Sequence, residues 1–283
     1  MLWKGRRQSQ NVEDRRGVSG RTIAAGGGVG ALIVTLLILL LGGKPDEVMQ
    51  NLQTPQASSS EQTQPLSAED KEEGEFVAVV LADTEDVWRE LFRQEGQEYR
   101  EPSLVMFSDV TDSACGYAQA ASGPFYCPGD EKVYIDLGFF REMQQQLGAE
   151  GDFARAYVIA HEIGHHVQNL LGIMDEVQGR QQGLSQREAN RSMVRLELQA
   201  DFLAGVWAHH AQRMKNVLET GDIEEGINAA AAVGDDRIMK STRGYVVPDA
   251  FTHGTSQQRV YWFKLGFQTG DLSKGNTFEA DEQ

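Results

Sequence analysis

One uncharged run of 19 residues, Ile23 to Leu41, most constrains how this chain can fold, and it ends in six consecutive leucine or isoleucine residues. A helix of this length spans roughly the hydrocarbon core of a bilayer. Four glycines would weaken it as a water-exposed helix, and it has no polar face. The run predicts one transmembrane anchor, and a cleaved signal peptide is the alternative.

Charge is distributed unevenly around this run. Residues 1–22 carry six basic and two acidic side chains, whereas the whole chain has 26 basic and 42 acidic residues and a net charge of −16. The positive-inside rule therefore predicts a cytoplasmic tail over residues 1–22, an inner-membrane span over 23–41, and export of the remainder to the periplasm or the exterior of a bacterium. The acidic balance argues against nucleic acid as a partner.

Composition divides the exported part into three segments. Residues 42–75 are polar and almost lack aromatic and β-branched residues, which predicts a flexible linker. Apolar residues return over 76–270, which predicts one domain, and an acidic tail follows over 271–283. Helical periodicity dominates the domain, and Leu104–Phe107 and Lys132–Asp136 are typical of short strands. We therefore predict an α+β fold that is mainly helical with a small sheet.

The only two cysteines, Cys115 and Cys127, are separated by 11 residues that include glycine and proline. Such residues let the chain turn back on itself, so we predict a disulfide between them, which suits an oxidising compartment. Two separate buried thiols are the alternative. Two cysteines are too few for a cysteine-ligated zinc site.

The strongest chemical signal is His161-Glu162-Ile163-Gly164-His165, inside a run of helical periodicity. Four residues turn a helix by about 400°, so His161 and His165 project from one face and can bind one zinc ion. Glu162 projects about 100° around the helix axis from His161, so it can approach a water at the ion without being a ligand itself. The sequence predicts a zinc site with Glu162 as the catalytic general base.

Two histidines leave a tetrahedral zinc ion short of a protein ligand. The extended form of this motif supplies a third histidine ligand, but Leu171 occupies the position of that histidine in this chain. The third ligand must therefore come from elsewhere. In a later helical segment, Glu197 and Asp201 lie four residues apart, on or beside an apolar stripe. We expect Glu197 to be the third ligand and Asp201 to accept a hydrogen bond from a zinc-bound histidine. The reverse assignment is the main alternative.

Taken in order, these motifs resemble a known bacterial family. The His161–His165 motif with Glu197–Asp201 looks like a Glu-ligated zincin. Together with Cys115-Gly116, Gly123–Pro128, Val133–Asp136 and Phe251–Gly254, it resembles the bacterial neutral zinc metallopeptidases. The resemblance extends from the anchor to about residue 270. It implies a zincin-like peptidase domain, membrane-anchored or exported, with His, His and Glu ligands, and it implies little about the substrate.

Two further segments are candidates for substrate binding. His253 lies in a loop before a helix, where it can reach an open site and donate to a developing oxyanion, although loop packing is the alternative. We expect the strand Val133–Ile135 to bind extended peptide at a sheet edge. The sequence thus predicts a zinc-dependent endopeptidase that acts on peptides or proteins outside the cytoplasm. The alternative is a membrane-tethered binding or assembly protein with a structural zinc.

Overall fold

The computed structural model describes residues 1–16, 66–108, 110–119 and 123–279. The predicted transmembrane run over 23–41 lies outside the described residues, as does the predicted linker up to residue 65. Within the part that is described, no helix combines the length and the apolar character that a membrane span needs. This part is mainly helical with a small sheet, which confirms the predicted α+β class.

The described residues form eight α-helices, six strands and two short 3-10 helices. The α-helices are α1 (Ala68–Gln94), α2 (Leu137–Leu147), α3 (Asp152–Leu170), α4 (Ile173–Gln181), α5 (Gln186–Lys215), α6 (Asp222–Ala232), α7 (Asp235–Arg243) and α8 (Ser256–Thr269). The strands are β1 (Val12–Asp14), β2 (Ser103–Phe107), β3 (Val110–Ser113), β4 (Gly116–Gln119), β5 (Phe125–Cys127) and β6 (Lys132–Asp136). The 3-10 helices are Pro248–Ala250 and Leu272–Lys274.

Four strands form a mixed sheet in the order β1-β2-β6-β5. The first three are parallel, and β5 pairs antiparallel with β6. β3 and β4 form a separate antiparallel hairpin. Because β6 lies between two other strands, the expectation that Val133–Ile135 offers a free edge is wrong. Its consecutive buried residues are typical of an inner strand covered on both faces. In this sheet β5 is the edge strand beside β6.

Residues 1–16, which were predicted to form a tail separate from the domain, instead pack against it. Val12–Asp14 adds the strand β1 to the sheet. The buried Trp3 ring meets Phe76 of α1 edge-on, with 5.5 Å between ring centroids. Burial of apolar side chains and backbone pairing explain why this segment is ordered on the domain. We call residues 1–16 the N-terminal strap.

Two other domain boundaries in the structure also differ from the predicted ones. α1 begins inside the predicted linker because Ser67 and Asp70 form a capping box, in which each side chain accepts the backbone N–H of the other. Residues 271–279, predicted as part of an acidic tail, pack on α5. There the Thr277 hydroxyl donates to the Arg195 carbonyl at 2.6 Å. Residues 280–283 lie outside the described part of the chain.

The helices that carry the candidate site pack at unusually close range. A Cβ added to Gly164 of α3 would lie 3.0 Å from the carbonyl oxygen of Ala200 in α5. At the contact between α5 and α8, a Cβ on Gly205 would lie 2.1 Å from the Phe263 carbonyl oxygen. A side chain at Gly205 would overlap the α8 backbone, and one at Gly164 would press tightly on α5, so the two glycines let α3 and α8 come within side-chain reach of α5.

The predicted disulfide between Cys115 and Cys127 is present, with an S–S distance of 2.06 Å. It joins the turn of the β3–β4 hairpin to the edge strand β5. Cys127 is buried against Val105, Phe107 and Tyr134, whereas Cys115 is exposed. The disulfide therefore anchors an exposed hairpin to a buried position in the sheet.

Candidate metal centre

His161 and His165 project from α3 towards Glu197 of α5. The Nε2 atom of His161 lies 3.1 Å from one Glu197 carboxylate oxygen, and that of His165 lies 3.4 Å from the other. The ligand atoms of the three side chains all lie within 4.8 Å of one another. Two imidazole nitrogens and a carboxylate form a donor set that zinc prefers. The structure therefore brings together the three side chains expected from the sequence.

The other nitrogen of each imidazole ring is held by a side chain on the far side from Glu197. Nδ1 of His161 lies 2.9 Å from Oδ1 of Asp201, and Nδ1 of His165 lies 2.8 Å from Oε1 of Gln168. Such partners place the ring proton on Nδ1, which leaves the lone pair of Nε2 free for a metal ion. The arrangement of both rings thus fits a zinc ion among the three side chains.

Gln168 was not identified as a site residue from the sequence. Its amide nitrogen donates to the Leu196 carbonyl at 2.7 Å and to Oε1 of Gln199 at 3.0 Å. These bonds fix the orientation of the amide, so that its oxygen faces His165. Its position three residues after His165, on the same helix face, was the available signal.

Asp201 is fully buried, and its charge is balanced by Arg259 of α8, a residue that was not identified from the sequence. Nε and Nη2 of Arg259 lie 2.8 and 2.9 Å from the two Asp201 carboxylate oxygens. The Tyr157 hydroxyl donates to Asp201 and accepts a bond from Arg259 at 3.1 Å. This two-pronged pairing fixes the carboxylate that orients His161. Tyr157 precedes His161 by four residues, so helix periodicity could have indicated it.

The charged groups around His161, His165 and Glu197 favour a cation between these three side chains. Burial disfavours the charged form of His161, but the carboxylates of Asp201 and Glu197 outweigh burial and raise its pKa to about 10. Burial likewise opposes ionisation of Glu197, yet His165 and His161 hold the pKa of its carboxyl well below the ordinary value. A positive charge among these groups is therefore stabilised, whether a proton or a metal ion carries it.

Glu162 lines the same cleft as the two histidines and Glu197. Its side chain is buried, and burial raises the pKa of its carboxyl above the ordinary value, although the neighbouring histidines oppose this shift. A carboxylate with a raised pKa accepts a proton more readily near neutral pH. The position and the environment of Glu162 therefore suit a general base.

The cleft has a volume of about 460 Å3 and runs past the edge strand β5. Its apolar walls include Phe139, Val158, Met174, Met193 and Leu196. The space is therefore large enough for several side chains of a peptide, and most of its surface favours apolar ones.

His253 also lines the cleft, with its side chain about half exposed. Its Nδ1 atom lies 3.0 Å from the Thr252 hydroxyl and 3.3 Å from an Asp235 carboxylate oxygen. The Asp235 carboxylate also accepts the backbone N–H groups of Thr252, His253 and Gly254. Asp235 therefore shapes the loop that presents His253 to the cleft.

Residues 1–278 match the model of a family described as "Putative neutral zinc metallopeptidase". One relative is "Uncharacterized protein YpfJ" of Escherichia coli strain K12, which is 51% identical over 285 residues, covering 98% of this chain and 99% of that protein. Another is "Uncharacterized protein Rv2575" of Mycobacterium tuberculosis strain H37Rv, which is 44% identical over 204 residues, covering 69% of this chain and 67% of that protein. No solved structure was found to match the chain. The family match includes every residue of the candidate metal centre, and the chain therefore belongs to this neutral zinc metallopeptidase family.

Proposed function

We propose that the protein is a zinc-dependent endopeptidase whose active site is built on His161, His165, Glu197 and Glu162. The observation that carries the proposal is that Nε2 of both histidines faces Glu197, while Nδ1 of each is held by another side chain. This arrangement supplies three protein ligands. Catalytic zinc sites have three protein ligands and keep a further position for water or substrate.

When bound, zinc would supply Lewis acidity to the scissile carbonyl and lower the pKa of the attacking water. Glu162 would accept a proton from that water and return it to the leaving amine. Nδ1 of His253 is engaged by Thr252 and Asp235, so Nε2 is the atom that can donate to a developing oxyanion. The residues that are given these roles all line the cleft.

Substrate binding is assigned to the edge strand β5 and the apolar walls of the cleft. An edge strand offers backbone N–H and C=O groups to an extended peptide, and β5 lies at the edge beside the metal centre. The apolar lining would accommodate bulky apolar side chains next to the scissile bond. We therefore expect extended peptides with such residues to be the preferred substrates.

A non-catalytic binding or assembly protein with a structural zinc is the second candidate. Structural zinc sites are closed by four protein ligands. Among the residues that the structure describes, the cluster contains two histidines and one glutamate, and no fourth His, Cys, Asp or Glu joins it. The open cleft beside Glu162 also favours the enzyme.

The test is hydrolysis of quenched fluorescent peptides by the full-length protein, after its zinc content has been measured. Wild type should hold one zinc per chain and cleave peptides with bulky apolar residues. Glu162→Gln should keep the zinc and lose about 10²–10⁴-fold in rate, because the amide preserves shape but not basicity. Glu142→Gln, an exposed change on α2, is the matched control.

Two results would count against the enzyme. Zinc-loaded wild type that cleaves no peptide in the library would support the non-catalytic alternative. Full turnover by Glu162→Gln would remove Glu162 from the mechanism while leaving the zinc site itself in place.

A further inference from the structure

We infer that residues 1–16 and residues 66–279 lie in the same cellular compartment, so that no single membrane crossing separates them. This arrangement differs from the topology expected from the sequence, in which residues 1–22 are cytoplasmic and the domain is exported. The inference rests on how the N-terminal strap is built into the domain, and it is independent of the proposed activity.

The strap completes the hydrogen bonding of the central sheet. β1 pairs in parallel with β2, with Val12 opposite Leu104 and Asp14 opposite Met106. The Leu104 N–H donates to the Asn11 carbonyl, and the Arg15 N–H donates to the Met106 carbonyl, both at 2.8 Å. Leu104 and Met106 are buried. Without the strap, backbone groups of β2 would lose partners inside the protein, which is costly.

The strap also neutralises carboxylates that α1 buries. Asp83 and Glu85 are only 1% and 2% exposed. Arg6 reaches Asp83 at 2.8 Å, where Lys215 of α5 also binds, and Arg7 reaches Glu85 at 3.0 Å. A buried carboxylate without a partner strongly destabilises a fold. The helix α1 therefore carries charges that require the strap.

Glu85 depends on the strap more completely than Asp83 does. In the part of the chain that the structure describes, the three side chains that donate to its carboxylate are Arg7, Ser9 and Asn11. All three belong to the strap, and they lie more than 70 positions from Glu85 along the chain. A strap held in another compartment would leave this buried charge without any of these donors.

The two ends of the intervening segment, residues 17–65, meet at one place on the domain. The Arg16 guanidinium donates to the Asp70 carbonyl in the first turn of α1. One nitrogen of the same guanidinium also lies 2.6 Å from where a Cβ on Gly74 would be. The strap therefore ends beside the first turns of α1, close to where residue 66 begins the rest of the domain. A single crossing between them would require these ends on opposite faces of a membrane.

The salt bridges also explain why the positive-inside rule gives the other answer. Three of the six basic residues before Ile23 pair with carboxylates of α1: Lys4 with Glu72, Arg6 with Asp83, and Arg7 with Glu85 and Asp86. Arg15 and Arg16 pair with Glu13 and Asp14 of the strap itself, and they also donate to the Thr111 hydroxyl and the Asp70 carbonyl of the domain. Five of the six basic side chains therefore have partners in or beneath the strap, so their number does not by itself report the side of the membrane on which a flanking tail is retained.

The test is thiol labelling of the full-length protein in bacterial cells with a membrane-impermeant maleimide. Gln8→Cys places a thiol on an exposed position of the strap, and Gln97→Cys places one on an exposed position of the domain. The two variants should be labelled under the same condition, either in intact cells and spheroplasts or only after the inner membrane is opened. The parent chain, whose two cysteines form the disulfide, is the unlabelled control.

A zero-length cross-link tests the packing itself. Nζ of Lys4 lies 2.6 Å from Oε1 of Glu72, so a carbodiimide should join them in the native protein and yield a Lys4–Glu72 peptide by mass spectrometry. Lys4→Arg keeps the ion pair but cannot form the amide, so this peptide should disappear. Labelling of Gln8→Cys and Gln97→Cys from opposite sides would overturn the inference, as would absence of the cross-linked peptide from wild-type protein.

Discussion

Asp201 and Glu197 hold opposite nitrogens of the same imidazole ring: Asp201 lies 2.9 Å from Nδ1 of His161, and Glu197 lies 3.1 Å from Nε2. Glu197 also faces His165, whereas the second oxygen of Asp201 is bound by Arg259. The two carboxylates, four residues apart on α5, therefore have different surroundings. This division favours Glu197 as the metal ligand and Asp201 as the group that orients His161.

The first prediction separates these two roles. Glu197→Ala removes a direct ligand and should largely empty the zinc site, whereas Asp201→Asn should weaken zinc binding by about 10–100-fold. Both variants would be titrated against a competing chelator at one fixed pH, since protons compete with zinc for the histidines. Tighter zinc binding by Glu197→Ala than by Asp201→Asn would reverse the assignment.

The second prediction concerns Arg259, which acts on the metal centre through Asp201. Arg259→Lys keeps the charge but loses the two parallel hydrogen bonds, so zinc affinity should fall by about 10–100-fold. Arg259→Ala leaves Asp201 buried without its main counter-charge and should lower the free energy of unfolding by about 3–5 kcal/mol. Chelator competition and urea unfolding measure the two effects.

Lys264→Ala is the control for this pair, because Lys264 is an exposed cation on the same helix. It should change neither zinc affinity nor stability appreciably. Unchanged zinc affinity in Arg259→Lys would show that the orientation of Asp201 does not depend on the two-pronged pairing.

The third prediction is a pH dependence that arises from Asp235. Burial opposes ionisation of Asp235, but His253 and the backbone N–H bonds outweigh it and hold the pKa of this carboxyl below its ordinary value of 3.8. A pKa lowered by folding stabilises the protein above the unfolded-state value, and this contribution is lost as the pH falls through the folded-state value. Asp235→Asn should therefore lower the free energy of unfolding by about 1–3 kcal/mol near pH 7.

The difference between wild type and Asp235→Asn should begin to shrink below about pH 4, where Asp235 of the unfolded chain takes up a proton, and should be lost as the pH falls through the lower pKa of the folded-state carboxyl. Urea unfolding of both proteins across this range measures it. Asp249→Asn, a change in an exposed carboxylate before the same loop, should alter stability by less than about 0.5 kcal/mol. A constant difference from neutral to acid pH would contradict the role given to Asp235.

The fourth prediction concerns the disulfide between Cys115 and Cys127, which closes a loop with a sequence separation of 12. Reduction should lower the free energy of unfolding by about 3 kcal/mol, mainly because the unfolded chain gains conformational freedom. Urea unfolding of wild type with and without reductant measures the effect. The double variant Cys115→Ser, Cys127→Ser should show no response to reductant, and equal stability of reduced and oxidised wild type would rule out this contribution.

Several features of the site follow from the sequence because they depend on local geometry. The spacing of His161 and His165 places both rings on one face of α3 wherever that helix lies. Glu197 and Asp201 share a face of α5 for the same reason. The glycine and proline between Cys115 and Cys127 let the chain turn back within a few residues. In each case the partners are close along the chain, so few conformations are available to separate them.

Other features required the tertiary structure. Arg259 lies 58 residues from Asp201, and Arg7 lies 78 residues from Glu85, so periodicity relates neither pair. The basic residues of the strap were interpreted as a signal of membrane orientation because a linear sequence does not show which carboxylates they meet. The sequence by itself determined the direction of side chains along each helix, since helix geometry repeats locally. Only the tertiary structure decided which buried charges were paired, because pairing depends on how segments distant in the chain pack together.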